Sequence, residues 1–278
     1  MADKIKVALA QYSVKLGDKK ANLAKVKEAI EKATQKGANL VVFPELFLTG
    51  YALGAEYYTI AETVPGPTTD TLGKLAQEHN IYVVLSMPVV SKPYNLTQNS
   101  AVFVGPDGLI GVYHKIHLPT GVAGGVPHYE AMYFKPGTEF PVFDTPIGKI
   151  GVIVCMDAAL PETCRIMTVK GAELIVCPFA VPDPWWPAIE MMCRVRALEN
   201  AIYFAGCCNI GPQKTLGFSG GSLLVDYGGN IVVTSGDRKD ELVVGTVDYA
   251  ALREYRPTFF WLKERKPWLY QELCEVMD

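Results

Sequence analysis

One octapeptide occurs twice in altered form: Gly37-Ala38-Asn39-Leu40-Val41-Val42-Phe43-Pro44 returns as Gly171-Ala172-Glu173-Leu174-Ile175-Val176-Cys177-Pro178. Each copy follows a helical stretch and runs four apolar residues into a proline, the signature of a buried strand fed by a helix. Unless two common strand signals coincide, the chain is two similar α/β halves. Each half brings one sheet, the inner faces pack together, and the helices lie outside. Composition agrees with one body. Of 278 residues 49% are hydrophobic, and no Ser/Gly/Pro tract or block of like charge marks a linker. A single domain over 1–278 is expected, with about 255–278 packed on the body or on an oligomer partner.

The flanking segments fill in the halves. Ile5 to Ala10 reads as a strand, and Asp18 offers a cap to a helix with Leu23, Val26, Ile30 and Ala33 on one face, ending at Gly37. A second helix, about Thr69 to His79, leads into a strand at 81–85. Segments 101–104 and 109–112 flank Gly105-Pro106-Asp107-Gly108 as a hairpin, so the sheet is mixed. The second half repeats this layout with a helix over about Pro187 to Asn200, a strand over 202–207, and a hairpin over 222–233 turning at Gly228-Gly229.

Several classes of function are disfavoured. With 26 basic and 29 acidic side chains intermixed, no positive field attracts nucleic acid. No apolar run approaches the roughly 18 residues of a membrane span, and Met1 to Lys6 lacks a signal-like apolar stretch, which predicts a cytoplasmic protein. Seven scattered cysteines and four histidines lack metal-ligand spacing, so neither a zinc site nor a disulfide framework is expected.

The sharpest feature is positional. Glu45, Lys115 and Cys155 each follow an apolar strand, and in open α/β sheets the ligand crevice lies beyond the carboxyl ends of strands. A free thiol is only a few per cent ionised at neutral pH and needs a base or a positive neighbour. Glu45, flanked by Phe43-Pro44 and Leu46-Phe47-Leu48, is the candidate base, its pKa raised by apolar surroundings. Lys115 can favour the thiolate and, with the backbone N–H of Met156, stabilise an oxyanion. Taken singly, the three are also readable as a core thiol and two solvated charges.

Pro44-Glu45-Leu46, His114-Lys115-Ile116-His117-Leu118 and Gly151-Val152-Ile153-Val154-Cys155-Met156-Asp157 with Pro161-Glu162 resemble the nitrilase superfamily of carbon-nitrogen hydrolases. The likeness extends through Phe218-Ser219-Gly220-Gly221-Ser222 to Arg265-Lys266-Pro267-Trp268-Leu269-Tyr270. It implies a four-layer α-β-β-α sandwich of two mixed sheets with pseudo-twofold similarity, and no metal or organic cofactor. It also implies a cysteine thioester mechanism with Glu45 as base, Lys115 as stabiliser and Cys155 as nucleophile. Glu130, before Tyr133-Phe134-Lys135-Pro136-Gly137, would be a second glutamate holding Lys115.

Met156-Asp157 stands where true nitrile hydrolases of this kind usually carry Trp-Glu. The resemblance therefore favours a small-molecule amide substrate, then a carbamoyl one releasing carbon dioxide and ammonia, then an aliphatic nitrile; a non-catalytic scaffold is the reading from another class. Selectivity is expected in Tyr51, the Gly121 to Tyr129 segment, and Asp183-Pro184-Trp185-Trp186-Pro187. There Trp185 or Trp186 walls an acyl pocket or covers an interface, and Asp183 binds a substrate cation or forms a turn. Met191, Val195 and Leu198, with the Trp-rich C-terminus, suggest a homodimer or higher homo-oligomer. The adjacent Cys207-Cys208 is read as a buried, inert pair rather than a redox sensor.

Overall fold

The computed structural model describes residues 1–123, 126–236 and 239–275. Two six-stranded sheets share one order of parallel and antiparallel neighbours. In the first, Lys4–Gln11, Leu40–Val42 and Tyr82–Ser91 run parallel at the centre. Leu96–Gly105 and Gly108–His114 extend it antiparallel on one side, and Glu241–Asp248 closes the other against Lys4–Gln11. In the second, Gly148–Val152, Leu174–Phe179 and Tyr203–Cys208 form the parallel centre. Leu223–Val225 and Ile231–Thr234 lie antiparallel on one side and Val142–Thr145 on the other. Leu40 pairs with Val7 and Leu174 with Ile150, so the recurring octapeptide fills the same strand in both halves.

Strand alternation decides the layering, because successive side chains point to opposite faces. Val7, Leu9, Leu40 and Val42 join Ile150, Val152, Leu174 and Val176 in one cluster between the sheets. The intervening Ala8, Val41 and Val83 pack against Val26, Ile30, Leu72 and Leu75 of the helices Lys19–Gln35 and Pro67–His79. On the far side the helix Pro161–Val169 presses so closely that a Cβ on Gly151 would stand 2.7 Å from Met167 Sδ. The result is the expected α-β-β-α sandwich. Burying each large aliphatic side chain stabilises it by about 1.5–3 kcal/mol.

Local signals act as read. Asp18 Oδ1 accepts from Ala21 N at 3.0 Å to cap the first helix, and Gly37 turns out of it at φ 72°. The second helix begins at Pro67, two residues early, because Thr69 Oγ1 accepts from Gly66 N at 2.8 Å. The helix Trp186–Asn200 also starts one residue early, and the strand after it is Tyr203–Cys208. The largest departure is the pair Tyr82–Ser91 and Leu96–Gly105, which runs well past the apolar segments 81–85 and 101–104. Pro88, Thr97, Gln98 and Asn99 look like loop residues alone, yet an unbroken antiparallel ladder holds them.

The chain end behaves in two ways. Arg256 Nε donates to Ala201 O at 2.9 Å, pinning the start of the tail to the body. Beyond it Phe260, Trp268 and Leu269 are exposed. Residues 276–278 of the tail lie outside the described residues. Among the described residues no helix is long and apolar enough to cross a membrane.

Candidate active site

Glu45 leaves the first sheet and meets the second. Phe43 N still bonds Val84 O at 3.0 Å, but Glu45 N donates to Phe179 O at 3.3 Å, at the matching point of the other half. Asn209 Nδ2 then donates to Glu45 O at 2.7 Å. Leu46 takes φ 49°, a left-handed conformation for a branched residue, and its N–H is held by Ser86 Oγ at 2.9 Å. Cys155 opens the single-turn helix Cys155–Ala159 and is likewise left-handed at φ 47°. Lys115 directly follows Gly108–His114, its N–H bound to Asn99 O at 2.8 Å.

These ends converge. Lys115 Nζ lies 2.7 Å from Glu45 Oε1 and 2.6 Å from Glu130 Oε1. Glu130 sits on the short helix Glu130–Tyr133 and is buried. Tyr51 Oη donates to Glu130 Oε1 at 2.6 Å, and Asn99 Nδ2 donates to Glu45 Oε1 at 2.7 Å. Glu45 Oε2 is buried without a hydrogen-bond partner among the described residues. That oxygen is the acceptor left open.

Burial raises the Glu45 carboxyl to about 7; the Lys115 ammonium opposes the rise and Glu130 adds to it. Burial works against charge on Lys115, yet Glu130, Glu45 and Cys155 together hold its pKa well above the ordinary range. Cys155 is pushed well up by burial and by Glu45, with Lys115 pulling the other way. The resting arrangement is thus a protonated thiol, a charged ammonium and a carboxyl near its midpoint at neutral pH. Such a set can pass a proton from sulfur to carboxylate as the sulfur attacks.

One buried carboxylate ties the loops together. Asp157 Oδ2 accepts from Tyr113 Oη at 2.7 Å and from Val154 N at 3.1 Å, while Oδ1 accepts from His117 N at 3.0 Å. His117 Nδ1 approaches Oδ1 at 2.8 Å. The Lys115 loop and the Cys155 turn are therefore fastened to one group.

Cys155 opens into a cavity of about 490 Å³, in the range of small-molecule sites. Of the expected substrate residues, Tyr51, Met156 and Trp185 line it, with Thr120, Gly121, Val122 and His128 from the 121–129 segment and its approach. Gly124 and Gly125 of that segment lie outside the described residues. Trp186 and Asp183 do not line it. The Trp186 indole packs on Gly221, where a Cβ would meet it at 2.2 Å, and Asp183 lies beside Gly217 in the short turn Asp183–Trp185. Among the described residues no group of three His, Cys, Asp or Glu side chains is placed to hold a metal ion.

Asn99, Asn209 and the clamp by Asp157 escaped sequence reasoning. Asn209 follows the strand Tyr203–Cys208, so the strand-end rule that singled out Glu45 reaches it too. Asn99 lies inside a strand, and only its ladder reveals it. Cys207 and Cys208 are fully buried thiols, each raised by burial.

The sequence profile of carbon-nitrogen hydrolases matches residues 6–257. The chain is 34% identical over 256 residues to a protein named nitrilase from Pyrococcus abyssi, covering 91% of this chain and 93% of that one. It is 34% identical over 272 residues to an omega-amidase of Xenopus laevis, covering 96% and 97%. In structure it matches a carbon-nitrogen hydrolase from Helicobacter pylori with a TM-score of 0.88 at 25% identity, over 99% of this chain and 100% of that one. Fold, profile and relatives agree along almost the whole length, and the chain belongs to the carbon-nitrogen hydrolase family.

Proposed function

We propose that this protein hydrolyses the carbon-nitrogen bond of a small linear amide through a thioester on Cys155, releasing ammonia or an amine and a carboxylic acid. The observation that carries this reading is Lys115 Nζ held between Glu45 and Glu130 at 2.7 and 2.6 Å, beside a thiol that opens to a cavity. Glu45 takes the thiol proton as sulfur adds to the carbonyl carbon. The ammonium of Lys115 and the N–H of Met156, free of helical pairing at the start of its turn, stabilise the oxyanion. Glu45 returns the proton to the departing nitrogen, the carbon-nitrogen bond breaks, and the acyl group stays on sulfur. Water, deprotonated by Glu45, then cleaves the thioester. Glu130 positions Lys115 and receives the substrate N–H.

Intact mass spectrometry during turnover tests this directly. An acyl mass on the wild type, absent in Cys155→Ala, with ammonia released from amides but not from matching nitriles, is expected. Release of carbon dioxide with ammonia from carbamoyl compounds alone would replace the amide by a carbamoyl substrate. We also infer a homodimer through the face carrying exposed Met191 and Val195 and the exposed tail from Phe260. Light scattering should show a dimer that Val195→Glu weakens.

A further inference from the structure

We propose that the acyl group this site accepts is neutral and apolar, several carbons long, and that Ile189 and Met192 set that preference. The inference rests on the hydrolase reading above and names its substrate class. The wall in front of Cys155 is made by Met156, Ala159, Val181, Trp185, Ile189 and Met192, and among the described residues no Lys, Arg, Asp or Glu belongs to the lining. The pKa of His128, which also lines it, is lowered by burial, so charge on that ring is disfavoured. An acyl group ending in a carboxylate would meet no counter-charge on this wall and would lose its water there. Behind the sulfur stand two carboxyl groups against one ammonium, so the field there adds no attraction for an anion. A hydrocarbon chain, by contrast, exchanges water for Ile189, Met192 and Trp185.

Relatives named omega-amidases therefore share the family with this protein without fixing its acyl group. The helix Trp186–Asn200 supplies Ile189 and Met192, three residues apart and hence on one face toward the cavity.

The test measures kcat/KM for ammonia release from acetamide, pentanamide and succinamate, the last nearly matching pentanamide in shape. The gain should be about fourfold per methylene from acetamide to pentanamide. Succinamate should fall at least about a hundredfold below pentanamide, as expected for an unpaired buried charge. Ile189→Arg should close that gap at least about tenfold by raising succinamate and lowering pentanamide; Met192→Lys carries the same expectation if the first variant fails to fold. Succinamate turned over as fast as pentanamide, or an unchanged ratio in both folded variants, overturns the inference while the hydrolase reading stands. No ammonia and no Cys155 adduct from any of the three, in folded protein, overturns both.

Discussion

Where the first half places Glu45 after its octapeptide, the second places Phe179, and where the second half carries Cys155, the strand register puts Tyr12 in the first. Two sheets with one strand order thus offer matching positions and equip them differently. Glu45, Lys115 and Glu130 come before the second sheet begins, and Cys155, the proposed nucleophile, follows a strand of that sheet. On the proposed mechanism each half supplies part of the set. The contacts across the seam, Glu45 N to Phe179 O and Asn209 Nδ2 to Glu45 O, therefore matter as much as the reacting groups.

That asymmetry can be broken from either side. Removing the proposed nucleophile of the second half, Cys155→Ala, should lower kcat at least about 10⁴-fold with an unchanged melting temperature. Removing the proposed base of the first half, Glu45→Gln, should cost about 10²–10⁴-fold. A base acts only when deprotonated, so wild-type kcat/KM should rise with pH through about 7, and that limb should vanish in the variant. Lys115→Met should cost about 10²–10³-fold in rate. It should also lower stability by about 3–5 kcal/mol, because Glu45 and Glu130 are left buried without their cation.

The seam itself is sharpened by Asn209→Ala. Losing one buried hydrogen bond should lower stability by about 1–3 kcal/mol and reduce kcat more than alkylation of Cys155. Equal effects on both rates would assign Asn209 to general packing. At the small end, Tyr12→Phe, at the counterpart of Cys155, should change kcat/KM less than about twofold. A larger loss would mean that the first half's matching position still serves catalysis.

Much of this was readable in the chain because the signals are local. An octapeptide, a capping Asp18 and reactive groups just past apolar strands need no knowledge of distant residues. What stayed hidden depends on pairing far along the chain. Asn99 looks like a loop residue until Leu96–Gly105 is laddered to Tyr82–Ser91. Asp157 reads as an ordinary acidic residue until Tyr113 and His117 are brought to it. The same reason separates Trp185 from Trp186: adjacent indoles look equivalent in sequence, and only the close backbone of Gly221 takes one of them out of the cavity.

The strand Glu241–Asp248, which closes the first sheet against Lys4–Gln11, pairs two segments far apart in the chain. A ribosome delivers Lys4–Gln11 long before its neighbour, so the growing polypeptide carries an open sheet edge while all the residues between them are made. Such distant pairing slows folding and leaves a surface prone to sticking. A chain halted before residue 241 should therefore be a strong client for chaperones.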